Sequence, residues 1–124
     1  MIKATELRIG NKVLYNNRIV KVVSIHRTGD VFVNQEGHVH IKEIHPIDLN
    51  RNLLLKYGFA EVHHGIYSYT FRELTEIFNT MNEFFFRYDG KFIASFKYLH
   101  ELQNIFFSLY KEEIKITRLA LLTN

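Results

Sequence analysis

The chain has 124 residues, 47% hydrophobic and 15% aromatic, with eleven Phe, seven Tyr and no Trp. That composition excludes an intrinsically disordered polymer and suits one ordinary domain or two very small modules. The absence of cysteine excludes disulfides, thiolate zinc sites and a cysteine nucleophile, and the net charge of +3 is unevenly placed: residues 1 to 45 carry seven Lys or Arg against four acids, the remainder nine of each. An excess of cations in the first third points to a polyanion or an acidic protein surface as partner. The start, Met1 to Arg8, holds no apolar run of signal-peptide length, and no stretch approaches the ~18 apolar residues of a membrane span. A soluble, cytoplasmic protein is the expectation.

In chain order, Ile9-Gly10-Asn11 reads as a turn opening a run of short strands. Lys12 to Tyr15 and Arg18 to His26, joined by Asn16-Asn17, form a hairpin rich in β-branched residues. Thr28-Gly29-Asp30 turns into Val31 to Asn34, and Gln35-Glu36-Gly37 turns into His38 to Lys42. Four or five strands in so short a space resemble the small barrels of the Tudor and ribosomal-protein type, which bind peptides or nucleic acids; fold alone does not fix function. His45-Pro46 closes this module.

A short helix is predicted from Asp48 or Asn50 through Leu53 to Tyr57, stopping at Gly58. Glu61 to Phe71 suggests a strand, and Leu74, Ile77 and Phe78 have helical spacing that predicts a short helix within Arg72 to Met81. Glu83 to Tyr88, Asp89-Gly90 and Lys91 to Phe96 form the clearest hairpin, because Asp-Gly supplies the positive backbone angles a tight turn requires. Lys97 to Tyr110 then reads strongly as a helix. A wheel puts Tyr98, Leu102, Ile105, Phe106 and Leu109 on one apolar stripe and His100, Gln103, Asn104, Phe107 and Lys111 opposite it. The stripe is expected to hold the Asp-Gly hairpin and the short helix together. The second face, with a large aromatic among polar neighbours, suggests a partner-binding surface made of His100, Gln103, Asn104 and Phe107. Ile114 to Thr117 suggests an edge strand, and the apolar tail Leu119 to Leu122 must dock on its own chain or a partner.

The expected fold class is therefore α+β. A small N-terminal antiparallel β-barrel or meander over residues 1–46 is packed on a C-terminal module, 47–124, of β-hairpin plus amphipathic helix, the two forming one compact domain.

Histidine is the one plausible catalytic or metal-binding resource. His38 and His40 share a strand face beside Lys42, and His63-His64 are adjacent in a loop. A metal needs three or four converging ligands, which one strand pair does not supply, and no ligand spacing, phosphate loop, nucleophile elbow or paired-carboxylate signature is present. No metal, cofactor or catalytic residue is assigned, and the chain reads as a non-enzyme. For nucleic acid the candidates are Arg8, Lys12, Arg18, Lys21, Arg27 and Lys42, with Tyr15 and Phe32 as stacking surfaces. Arg87, Tyr88 and Lys91 form a weaker second group.

Three segments, Glu6-Leu7-Arg8-Ile9-Gly10-Asn11, Pro46-Ile47-Asp48-Leu49 with Leu54 to Phe59, and Lys97-Tyr98-Leu99-His100-Glu101-Leu102-Gln103-Asn104, resemble in the same order a family of small phage and prophage proteins. The resemblance spans nearly the whole chain, and the His-Glu-Leu-Gln-Asn helix is its most specific part. It departs between Thr70 and Asn82, where the family is shorter, and at Tyr110-Lys111-Glu112, where a Thr-Gly turn is more usual. Members carry no assigned activity, so no catalytic residue transfers. The resemblance implies a mobile-element context, in which small proteins without enzymatic motifs often block a host machine. The leading expectation is an inhibitor of a host defence ribonucleoprotein, of the anti-CRISPR type, binding the effector protein or its guide RNA. Alternatives are a nucleic-acid-binding accessory protein and a virion or assembly component self-associating through Phe107 and Leu119 to Leu122.

Overall fold

Tight turns set the register of the strands. In the computed structural model, which describes residues 2–69, 72–81 and 83–116, Asn16 and Asn17 both adopt positive φ, 50° and 62°. Their turn pairs β1 (Lys12–Tyr15) with β2 (Arg18–Ile25), Tyr15 opposite Arg18 and Lys12 opposite Lys21. Two successive left-handed residues match the twist of a two-residue hairpin, and asparagine tolerates that conformation better than most side chains. Asp89 and Gly90 repeat the geometry, at 52° and 75°, between β9 (Phe84–Tyr88) and β10 (Lys91–Phe96).

Ten strands are described, in two five-stranded antiparallel sheets, so the α+β expectation holds. The first sheet has the order β4-β3-β2-β1-β5, with β3 at Asp30–Val33, β4 at Gly37–His40 and β5 at Ile44–His45. A 3-10 helix, Ile41–Glu43, carries the chain from β4 across to β5, which pairs with β1 and bends the meander into a half-barrel. Alternation buries Val13, Val20, Val22, Val31, Val33 and Val39 on one face, with Ile2, Leu7 and Ile44 completing the cluster.

The second sheet has the order β10-β9-β8-β7-β6, with β6 at Phe59–His63, β7 at Ile66–Tyr69 and β8 at Thr75–Asn79. Helix α1, Arg51–Lys56, is capped by Asn50, whose side chain accepts the Leu53 N–H at 2.8 Å, and it packs against β6. Glu61 to Phe71 is thus two strands and a turn, with Thr70 and Phe71 outside the described residues. The short helix expected within Arg72 to Met81 is β8 instead. Thr75 and Ile77 are buried while Leu74 is 47% exposed, so the apparent helical repeat includes a residue the core does not take up. Period-2 burial and pairing on both sides, Phe78 opposite Ile66 and Phe85, decide for the strand.

The chain divides into two compact units, Met1–Asp48 with Tyr98–Glu113, and Leu49–Lys97 with the chain from Ile114. Helix α2, Leu99–Tyr110, therefore belongs to the half-barrel unit, where it packs on β1, and not with the Asp-Gly hairpin as the sequence suggested. Glu101 accepts the Tyr98 N–H at 3.1 Å at its start. Lys111 ends it in the left-handed conformation, φ 58°, its N–H donating to the Phe107 carbonyl at 2.8 Å. Ile114 is buried, but Ile114 to Ile116 form no strand; Thr117 and the Leu119 to Leu122 tail lie outside the described residues.

Candidate nucleic-acid interface

The face of the first sheet opposite its valine core carries the candidate site. Lys12 and Lys21 lie directly opposite each other on β1 and β2, between buried valines that point the other way. Further along the face, a bulge between Val22 and Ser24 shifts β2 so that Ser24 meets Phe32, which in turn faces His38 on β4. Three rings then touch. Phe32 is 38% exposed, with its centroid 5.2 Å from that of His38 and 5.4 Å from that of His26; the imidazole centroids are 6.1 Å apart. Asp30 fixes one of them, its Oδ2 lying 3.1 Å from His38 Nε2. Exposed Ile19 and Val23 add apolar surface.

Beyond the rings the turn after β2 holds exposed Arg27, and the Ile41 N–H donates to the Gly29 carbonyl at 3.1 Å, which brings the 3-10 helix and Lys42 against that turn. His40 is spent on this helix: its Nδ1 accepts the Lys42 N–H at 3.1 Å while Glu43 accepts the His40 N–H at 3.3 Å. The face thus runs from Lys12 and Lys21, past His26, Phe32 and His38, to Arg27 and Lys42. The rest of β2 from Val22 to Ile25, and His26 after it, separate Lys21 from Arg27.

The other expected contacts are placed differently. Arg18 forms an ion pair with Glu36. Tyr15 is half-buried against the valine core, which removes it as a stacking platform. Arg8 faces α2: its guanidinium donates to both Glu113 carboxylate oxygens at 2.7 and 2.8 Å, Nε donates to Asn104 at 3.2 Å, and Cζ sits 4.1 Å from the centre of the Phe107 ring.

The helix face expected to meet a partner is therefore occupied by its own chain. Gln103 accepts the Lys12 N–H at 2.8 Å and donates to the Gly10 carbonyl at 3.2 Å. Asn104 accepts from Asn11 Nδ2 at 2.7 Å and donates to the Glu6 carbonyl at 2.9 Å. His100 and Gln103 are buried, and Phe107 lies under Arg8. The buried arc of α2 is Leu99, His100, Leu102, Gln103 and Phe106, turned from the apolar stripe on the wheel, with Ile105 and Leu109 only half-buried. The reason is hydrogen-bonding: the irregular segment Glu6 to Asn11 has backbone groups no strand pairs, and two side-chain amides supply their partners.

Buried His100 stacks nearly parallel on Tyr98, at 9° and 5.9 Å, with Nε2 3.6 Å from Glu6 Oε2, too long for a hydrogen bond. Burial holds its pKa below the ordinary 6.5, against the opposing pull of Glu101 and Glu6. In the second unit, Arg51 donates to Glu61 at 2.9 Å and holds that carboxyl below its usual range, while Arg87 pairs with Glu76 at 3.2 Å and lies on the Phe78 ring. Tyr88 and Lys91 flank the Asp-Gly turn, and His63 and His64 are exposed at the β6–β7 turn. Among the described residues, no three or more His, Asp or Glu side chains gather in a way that could hold a metal ion, and no helix is long and apolar enough to cross a membrane.

The sequence alone missed His26 and His38 as parts of the site. The signal was the pairing of Val31-Phe32-Val33 with His38-Val39-His40, which puts Phe32 and His38 on one face; the bulge at Val23 left no mark. No family model, no curated protein and no solved structure matches the chain.

Proposed function

We propose that the protein is a phage- or prophage-borne, non-enzymatic inhibitor of a host defence ribonucleoprotein, of the anti-CRISPR type, and that it acts by laying the exposed face of its half-barrel on the guide RNA. The observation that carries this reading is the strip with cations at both ends, exposed Lys21 beside Lys12 at one and exposed Arg27 and Lys42 at the other. Clustered cations of this kind attract the phosphates of a nucleic-acid backbone. The occupied helix face favours the strip over α2 as the working surface. The resemblance of the chain's first and last segments to phage and prophage proteins supports the mobile-element setting.

The test combines capture of CRISPR effectors, RNA-targeting ones included, with interference assays and RNA mobility shifts. A stable complex and relief of interference are expected, both lost in the Lys12→Glu, Lys21→Glu double variant. The salt dependence of RNA binding is expected to flatten by about 0.7 in slope for each single-strand phosphate contact removed. No complex and no relief of interference overturns the reading, and capture of an effector stripped of RNA makes a protein surface the target.

A further inference from the structure

Building on the RNA-contacting strip, we infer that the His26, Phe32 and His38 cluster is a stacking site for one unpaired base, so that the protein selects single-stranded RNA over duplex. The strip has different chemistry at its ends and in its middle. Lys12 and Lys21 lie at one end, and Arg27 and Lys42 in the turn and 3-10 helix at the other. The middle holds three mutually touching rings, at 5.2, 5.4 and 6.1 Å, and one carboxylate, Asp30.

A phosphate is attracted to the ends and repelled from the middle by Asp30. A base is suited to the middle, since a flat π-face stacks on an exposed phenyl ring whatever its sequence. Phe32 occupies a position where solvent meets the sheet, and exposed Val23, next to the Ser24 that pairs with Phe32, adds apolar surface there. Asp30 Oδ2, 3.1 Å from His38 Nε2, holds that imidazole against the phenyl ring. Bases within a duplex are already stacked on one another, and the deep, narrow major groove of A-form RNA keeps side chains from them. An exposed ring cluster on a sheet therefore gains its contact only from a base that is splayed out.

The experiment measures binding of the full chain by fluorescence anisotropy to three labelled probes: an oligouridine of about ten nucleotides, a ribose-phosphate oligomer of equal length without bases, and an RNA duplex of equal length. The oligouridine is expected to bind about tenfold tighter than the abasic oligomer, the size of one stacked base. The same preference is expected over the duplex. Phe32→Leu is expected to erase the preference while leaving the salt slope unchanged, and Phe32→Tyr to retain it. Equal affinity for the base-bearing and abasic probes overturns the stacking site while leaving the electrostatic strip standing, as does a preference that survives in Phe32→Leu. Failure of every probe to bind, with no effect of Lys12→Glu and Lys21→Glu, overturns both readings. The probe comparison within the unmodified protein keeps the test independent of how well any variant folds.

Discussion

His100 is an ionisable side chain with no solvent exposure, and neither imidazole nitrogen has a hydrogen-bond partner among the described residues. The folded state therefore holds it neutral, with its pKa lowered by burial from 6.5, against Glu101 and Glu6. Below pH 6.5 the unfolded chain takes up a proton that the folded one does not. The stability that comes from this site is whole above that value and is lost as pH falls toward the lowered folded pKa. Urea unfolding at neutral pH and at moderately acidic pH is expected to show this loss, and His100→Leu to remove that component of the pH dependence. Arg8 makes a second prediction at this scale. Its two-pronged pair with Glu113 is about two-thirds or more shielded, with side-chain exposures of 26% and 34%. Arg8→Ala is expected to cost about 1–3 kcal/mol in chemical denaturation, and Arg8→Lys to recover only part, since lysine lacks the planar fork.

Helix α2 is held by its side-chain amides as well as by buried Leu99, Leu102 and Phe106. Gln103→Ala leaves the Lys12 N–H and Gly10 carbonyl without these partners, an expected loss of about 2 kcal/mol or more by urea titration. At the other end of the helix, Lys111 stands in a left-handed conformation that glycine adopts without strain. Lys111→Gly is expected to stabilise the protein by about 0.5–1 kcal/mol, read as a higher denaturation midpoint. Much of this scale was legible in the sequence. Asn16-Asn17, Asp89-Gly90 and the Asn50 cap act locally, and each put its element in place. What was not legible acts at a distance. Leu74, Ile77 and Phe78 spelled a helix until Ile66 and Phe85 flanked Phe78 in a sheet. Lys12, Lys21 and Phe32 could be picked from composition, but the commitment of Arg8 to Glu113 depends on a residue 105 positions away, and the rotation of α2 on an irregular segment whose needs no periodicity records.

The half-barrel unit is discontinuous in sequence: Met1–Asp48 is completed by Tyr98–Glu113. A fragment ending at Asp48 lacks Gln103, Asn104 and Glu113, so Arg8, Gly10, Asn11 and Lys12 lose the partners these residues supply. Such a fragment is expected to show poorly dispersed amide resonances and rapid hydrogen exchange in β1. Adding a peptide spanning residues 98–113 is expected to restore protection there; protection in the fragment alone would show the five strands to be self-sufficient.

The interlock between Arg8, Asn11, Gln103 and Asn104 joins residues more than 90 positions apart. During synthesis, at about 5–20 residues per second, β1 leaves the ribosome seconds before the helix that satisfies it. The hairpins of the second sheet close over a few residues each, and each of its strands pairs with near neighbours in sequence. The half-barrel, begun before the second sheet, is thus completed only after that sheet's strands have been made, and the cationic strip takes its final form with helix α2.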